Sequence, residues 1–113
     1  MPPLPVAALD AELRRLLPLL AAAGALRVIL YGSCAHGKCG PASDLDLLVV
    51  VPEDGQPLLQ RLGRLYARLE PAVPCDILAY TPAELDMLAS SPVVAAALSE
   101  GLTVYESRDS TGT

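Results

Sequence analysis

The sequence predicts one α/β (α+β) domain, in which a small mixed β-sheet of three to four strands is flanked by helices. Apolar segments with helical spacing alternate along the chain with short β-branched runs, the order expected when helices pack on a sheet. The length of 113 residues suits a single core. With 52% hydrophobic and 19% charged residues, the chain is globular in composition and not disordered.

The first predicted element is an amphipathic helix over residues 6–23. Leucines recur there at helical spacing, at Leu9, Leu13, Leu16, Leu17 and Leu20. Pro18 interrupts this pattern, and because proline donates no backbone hydrogen bond, it is expected to kink or end the helix. Gly24 is the expected stop.

Two strands and a short turn follow. The segment 27–31 predicts a short buried strand, and 45–51 predicts a second one, because its LeuLeuValValVal run is too apolar and β-branched for another element. Between them, residues 33–36 predict a single helical turn and residues 37–43 a loop rich in Gly and Pro.

In the second half, a turn at residues 52–55 leads into a helix that ends near Leu69. Its buried face is predicted from Leu58, Leu62, Leu65, Tyr66 and Leu69, while Arg61, Arg64 and Arg68 are interpreted as a solvated stripe. Residues 73–80 predict a third strand. A Thr-Pro-Ala-Glu sequence at 81–84 predicts a capped helix start, residues 92–99 a further helix and 102–105 a last strand. The domain is therefore assigned to residues 1–106, and residues 107–113 to a polar, frayed tail.

Charge and hydropathy limit the classes of partner. The net charge is −5, so a groove that grips nucleic-acid phosphates is not expected, whereas a nucleoside triphosphate carried with a metal ion is compatible with it. No stretch reaches membrane-spanning length. The apolar run after Arg15 imitates a secretory signal, but Asp10 and Glu12 place acid before it, and cleavage would remove the first strand. A cytoplasmic protein is expected.

The most informative motif joins a Gly-Ser turn to a pair of aspartates. Gly32 and Ser33 follow the first strand, ten residues separate Ser33 from Asp44, and Asp44 and Asp46 open the second strand. Side chains two apart on a strand share one face, roughly 7 Å from one another. Two such carboxylates at the edge of a core repel one another unless a cation lies between them, so the pair predicts a divalent metal.

This arrangement resembles the polymerase-β-type nucleotidyltransferase superfamily, whose signature is Gly-Ser, ten residues and Asp-x-Asp. The order of elements from about Leu26 to Glu106 is most similar to its smallest branch, the minimal nucleotidyltransferases (MNT). The resemblance implies a third carboxylate on a neighbouring strand, for which Asp76 is the match. It further implies that these three aspartates bind two Mg²⁺ ions and catalyse the transfer of AMP from ATP to an acceptor hydroxyl. Asp76 is also a candidate general base.

The same resemblance suggests which residues hold the triphosphate. Gly32 allows a phosphate to approach the main chain, and the Ser33 hydroxyl can donate to it. Many MNT proteins read Gly-Ser-Arg-Ala-Arg-Gly at this point, and here both arginines are replaced, by Cys34 and His36. Lys38 and His36 are the cations that remain near the phosphates.

Three further interpretations stay open at this stage. The Cys34, His36, Cys39 spacing, with Cys75, is an uncommon pattern for zinc. Cys75 alternates with Asp76, so it is expected to face the core. A Cys34–Cys39 disulfide would require an oxidising compartment.

The implied function of an MNT protein requires a partner, because nothing in this chain forms a second lobe for the acceptor. The resemblance implies a HEPN-type helical ribonuclease toxin, to whose tyrosine the MNT protein transfers AMP as an antitoxin. Nucleotidyl transfer to a small hydroxyl compound and a binding-only antitoxin or regulatory subunit remain alternatives. Homo- or hetero-oligomers are both compatible with the sequence.

Overall fold

A computed structural model describes residues 3–107 of the chain. It contains four helices, four strands and one 3₁₀ turn, Ser33–His36, within those residues. The helices are α1 (Ala7–Ala22), α2 (Leu58–Leu69), α3 (Pro82–Leu88) and α4 (Pro92–Glu100). The strands are β1 (Arg27–Tyr31), β2 (Leu45–Val50), β3 (Cys75–Tyr80) and β4 (Leu102–Glu106). The predicted α+β class with a small mixed sheet is confirmed.

The four strands form one sheet in the order β3-β2-β1-β4. β1 pairs antiparallel with β2 and with β4, whereas β2 and β3 run parallel. A parallel pair needs a crossover, because the chain must return to the same end of the sheet before the second strand begins. Helix α2 is that crossover. It therefore determines that β2 and β3 start at the same end of the sheet.

The sheet separates two apolar clusters of different size. The larger one packs α1 and α2 on one face through Leu and Val side chains, with Leu13, Leu16, Leu20 and Leu69 fully buried. The smaller one joins Ile29 and Leu48 to Ala97 of α4 on the other face. Alternate strand residues belong to alternate clusters, which follows from the two-residue period of a strand.

Helix α1 continues through Pro18, so of the two expected outcomes, a kink or an end, the end is excluded. Pro18 is exposed, so its ring faces solvent and not the core. Gly24 adopts a φ of +96° directly after the helix, which confirms it as the stop.

Arg61 corrects the prediction of a solvated arginine stripe on α2. Its side chain is only 5% exposed, and its Nη1 donates to Glu84 Oε1 at 2.7 Å and to the Ala79 carbonyl at 2.9 Å. Asp54 forms a second ion pair with it at 3.3 Å. The helical period could not show this, because the partners come from α3 and from the loop before α2. Arg64 and Arg68 are exposed as predicted.

The remaining element boundaries agree within one to three residues. Thr81 caps α3 as predicted: its hydroxyl accepts from the Glu84 N–H, and its own N–H donates to Glu84 Oε1 at 2.9 Å. The Ser107 N–H donates to the Leu26 carbonyl at 2.8 Å, so that residue is held to the sheet; the rest of the predicted tail lies outside the described residues. Within residues 3–107 no helix is both long and apolar enough to cross a bilayer.

Candidate active site

Three neighbouring strands place two aspartates and a tyrosine in one row at one end of the sheet. Asp46 lies opposite Asp76 in the parallel register of β2 and β3. On its other side, Asp46 lies opposite Tyr31 in the antiparallel register of β1 and β2. Directly opposed residues point to the same face, and neighbouring strands are about 4.8 Å apart. The predicted proximity of Asp76 to Asp46 thus follows from the strand register.

The row lies on the sheet face that α3 and α4 cover. Leu48 and Leu78, two residues along from Asp46 and Asp76, both belong to the smaller cluster on that face. Asp44 lies one residue before β2 and two before Asp46, so it extends the row beyond the end of the strand. Asp46 is half-buried, while Asp44 and Asp76 are exposed. This face of the sheet therefore carries acidic side chains at the end where β2 and β3 begin, and apolar core side chains further along the strands.

The electrostatics of the row show how close its members are. Burial raises the pKa of the Asp46 carboxyl above its usual range, and the charges of Asp76 and Asp44 raise it further. Burial also raises the pKa of the Tyr31 hydroxyl to about 12, with Asp46 and Asp76 as the next causes. Burial and the neighbouring negative charges raise the pKa of both groups, because both disfavour the charged form.

The Gly-Ser turn is built against the Asp46 carboxylate. Gly32 adopts φ +75° and ψ −156°, a conformation open almost only to glycine. A Cβ atom added at this position would overlap Asp46 Oδ2. The sequence requires glycine here for two reasons, the backbone conformation and the close approach of the main chain to the carboxylate.

The buried side chain of Cys34 connects the Gly-Ser turn to the residue just before β2. Its side chain is 2% exposed, and its thiol donates to the Asp44 carbonyl at 3.7 Å. Burial, with a contribution from the neighbouring Cys39 thiol, raises the pKa of Cys34 to about 12. The turn closes through the Lys38 N–H, which donates to the Ser33 carbonyl at 2.9 Å. All three cysteines are free, and Cys75 packs against the larger core cluster as expected.

A cleft of about 340 Å³ opens beside the turn. Tyr31, Gly32 and His36 line one wall, and Val93 and Ala96 of α4 line the other. The sequence analysis did not identify Tyr31 or the α4 wall as site residues. Tyr31 could have been found from its place directly before the Gly-Ser pair, but the α4 wall depends on how that helix packs across the sheet.

The predicted site residues therefore lie at one end of the sheet, with Lys38 at the close of the Gly-Ser turn. Asp44, Asp46 and Asp76 lie on one face, Gly32 touches Asp46, Ser33 is exposed at the start of the turn, and His36 reaches the cleft. No hydrogen bond or ion pair joins the exposed Lys38 side chain to another of the described residues.

The chemistry of the acids suits a hard divalent cation. Carboxylate oxygens are the ligands that Mg²⁺ prefers, and the raised pKa of Asp46 shows a position where positive charge would be stabilised. Among residues 3–107, however, no group of three or more His, Cys, Asp or Glu side chains converges closely enough to enclose a metal ion. The acids form one wall of an open site and not a closed ligand cage.

The fold and the row of three acids, Asp44, Asp46 and Asp76 (the acid row), together define the class of protein, a nucleotidyltransferase. The family model described as "Nucleotidyltransferase domain" matches residues 12–99, and the chain belongs to this family. Among curated proteins no match was found. The family match includes the Gly-Ser turn and all three aspartates.

Several solved structures resemble the chain, among them the following three. A candidate minimal nucleotidyltransferase is 33% identical, with 81% of this chain and 90% of that chain covered and a TM-score of 0.53. A candidate nucleotidyltransferase from Sulfolobus solfataricus is 18% identical, with coverages of 90% and 88% and a TM-score of 0.60. A toxin-antitoxin structure with AMP-PNP is 18% identical, with coverages of 85% and 74% and a TM-score of 0.53. The resemblance to the minimal branch of the polymerase-β-type superfamily is confirmed.

Proposed function

We propose that this chain transfers AMP from ATP to a hydroxyl acceptor, namely a tyrosine of a HEPN-type toxin, and so acts as an antitoxin. The observation that carries the proposal is the row of Asp44, Asp46 and Asp76 at one end of the sheet, with the Asp46 carboxylate against the Gly32 main chain, within a nucleotidyltransferase domain. The toxin-antitoxin structure with AMP-PNP supports the choice of nucleotide and partner.

Asp44, Asp46 and Asp76 are the residues that would hold two Mg²⁺ ions. The bound ions would supply positive charge for the triphosphate, for the leaving pyrophosphate and for the ionising acceptor hydroxyl. In their absence the three acids repel the phosphates of ATP, so nucleotide binding is expected to depend on Mg²⁺.

The chain's own residues position the substrates. At the start of the Gly-Ser turn the backbone N–H groups have no acceptor within the turn, and with the Ser33 hydroxyl they can donate to phosphate oxygens. Gly32 removes the side chain that would block this approach. His36, at the edge of the cleft, can donate a hydrogen bond to a phosphate oxygen.

In the proposed reaction the acceptor oxygen bonds to the α-phosphorus while the bond from that phosphorus to the bridging oxygen breaks. Pyrophosphate leaves, and Asp76, which is exposed at the rim, receives the hydroxyl proton as general base. The rate then depends on alignment and charge stabilisation, because the protein forms no covalent intermediate.

A binding-only antitoxin is the second candidate, and one observation favours it. Cys34 stands where many minimal nucleotidyltransferases carry the first arginine of the motif. Its side chain points inward and is 2% exposed. This position therefore supplies no cation to the triphosphate, and Lys38 and His36 must replace two guanidinium groups.

The test uses ATP labelled at the α- or the γ-phosphate, with Mg²⁺ and the co-purified helical partner. AMP transfer places α-label but no γ-label on the partner, and the Asp44→Asn, Asp46→Asn double variant abolishes it. Asp86→Asn, an exposed acid on α3, is the matched control and retains transfer. Label on a small molecule would identify that acceptor class instead. A complex that survives in the double variant, with no label on any component even for the wild type, would establish the binding-only candidate.

A further inference from the structure

A second concave site lies on the other face of the molecule, between α2, the end of β2 and the end of α1. Its volume is about 700 Å³, within the range of small-molecule pockets. Apolar lining comes from Ala23, Val51, Pro52 and Leu65, and charged lining comes from Arg61, Arg64, Arg68 and one acid, Asp54. This site has no part in the proposed transfer reaction.

The charge of this site is opposite to that of the whole chain. The net charge is −5, and the chain holds eight Lys and Arg residues in total, of which three line this one cavity. Arg61 is neutralised by Asp54 and Glu84. Arg64 and Arg68 form no ion pair with any residue between positions 3 and 107.

Arg68 lies in the last turn of α2, where a cation interacts favourably with the helix dipole, but this does not account for a second arginine, Arg64. They are one helical turn apart, and like charges at that spacing disfavour the helix slightly. Both are exposed, so burial does not explain them either. An anion bound between them would turn this repulsion into attraction.

The site is separated from the acid row by most of the length of β2. The acids lie where β2 begins, whereas Val51 and Pro52 follow the residue at which it ends. Five residues of extended chain from Asp46 to Val51 span roughly 16 Å. The two sites also lie on opposite faces, since Leu65 belongs to the larger core cluster and Leu48 to the smaller one. One small ligand cannot occupy both.

We propose that this cavity binds a phosphate monoester carried on an apolar or ring-bearing body. Guanidinium groups bind phosphate oxygens in pairs and stay charged at every physiological pH. The apolar lining suits the body of the ligand, while Arg61, fixed by its two ion pairs, keeps one wall rigid. This inference goes beyond the proposed function and does not depend on it.

The experiment uses AMP as the probe, in EDTA, where the acid row repels phosphate. Calorimetry on the whole protein is expected to show saturable binding of AMP to the wild type and to Asp46→Asn. Arg64→Gln, Arg68→Gln together should weaken it by about tenfold or more. Arg27→Gln, an arginine at the start of the interior strand β1 that does not line the cavity, is the control and should bind AMP as the wild type does.

Binding of adenosine and binding of inorganic phosphate test the ring-bearing part and the phosphate part of the ligand separately. Each is expected to bind more weakly than AMP by about tenfold, because each lacks one of the two interactions. The proposal is overturned if AMP does not bind, if binding survives in the double arginine variant, or if either half binds as tightly as AMP. Loss of binding in Asp46→Asn with retention in the arginine variant would likewise overturn it, because the nucleotide would then occupy the acid row. Thermal melts should show that the exposed arginine substitutions leave the fold intact.

Discussion

Substitution of Gly32 by alanine should cost more than a positive φ angle alone explains. Two contributions to the loss of folding stability add at this position. The backbone conformation, φ +75° and ψ −156°, costs a residue with a Cβ about 1–3 kcal/mol. The new Cβ also overlaps Asp46 Oδ2, so the carboxylate or the turn must move, and coupling between contacting residues is typically about 0.5–3 kcal/mol.

Gly37 provides the matched control for this substitution. Its φ is +69° and its ψ is 18°, and a Cβ built on it meets nothing within 4 Å. Gly37→Ala should therefore cost only the left-handed conformation, about 1 kcal/mol. Gly32→Ala should cost about 2–4 kcal/mol.

Urea unfolding of four proteins separates the two terms: the wild type, Gly32→Ala, Asp46→Ala and the double variant. In the Asp46→Ala background the overlap has gone, so Gly32→Ala should there cost only its backbone term. The double variant should therefore lose less stability than the sum of the two single losses. Additive losses, or equal losses for Gly32→Ala and Gly37→Ala, would refute the claim that the turn is packed against the carboxylate.

Three further outcomes are expected from the same structure. Arg61→Met should lower the free energy of unfolding by about 2 kcal/mol, because the Ala79 carbonyl loses a buried hydrogen bond and the partly exposed Asp54 and Glu84 lose their ion-pair partner, whereas Arg68→Met should stay within about 0.5 kcal/mol in the same urea titration; equal effects would contradict the buried position of Arg61. Because the folded-state pKa of Asp46 is raised, the folded chain holds more protons than the unfolded chain just above the usual carboxyl pKa. The contribution of Asp46 to the stability of the metal-free wild type should therefore fall as pH rises through that window, so Asp46→Asn should gain stability relative to the wild type over the same range; urea midpoints that change in parallel would contradict this. The pKa of Cys34 is raised to about 12 and that of Cys75 to about 11, mainly by burial, so at pH 8 a disulfide reagent should react with the folded protein slower than with the unfolded one by roughly two orders of magnitude. A rapidly labelled thiol in the folded chain would show that the site is more open than described.

Local sequence was sufficient for most of the elements. Leucine spacing located α1, and the Thr81 cap with its proline and glutamate located the start of α3. These signals are reliable because each depends on contacts within a few residues. Whether Pro18 ends α1 or is tolerated within it could not be decided locally, because the outcome depends on the exposure of Pro18, which is a tertiary property.

Long-range partners caused the errors. Arg61 occupies a polar position in the helical pattern, yet its acceptors come from a loop before α2 and from α3 beyond the next strand. Likewise the cleft beside Gly32 depends on the packing of α4 against β1. No periodicity within a single helix contains that information.

The sequence by itself determined the family, through the spacing from Ser33 to Asp44 and Asp46, because a motif that serves one chemistry is local along the chain. Only the tertiary structure decided that Asp76 and Tyr31 lie on either side of Asp46, since strand register is set by the packing of the whole sheet. The tertiary structure also decided which arginine of α2 is buried and which two face an open cavity. The physical reason is the same in each case: charge and burial depend on neighbours in space, and the order of residues constrains these only where the neighbours are also close in sequence.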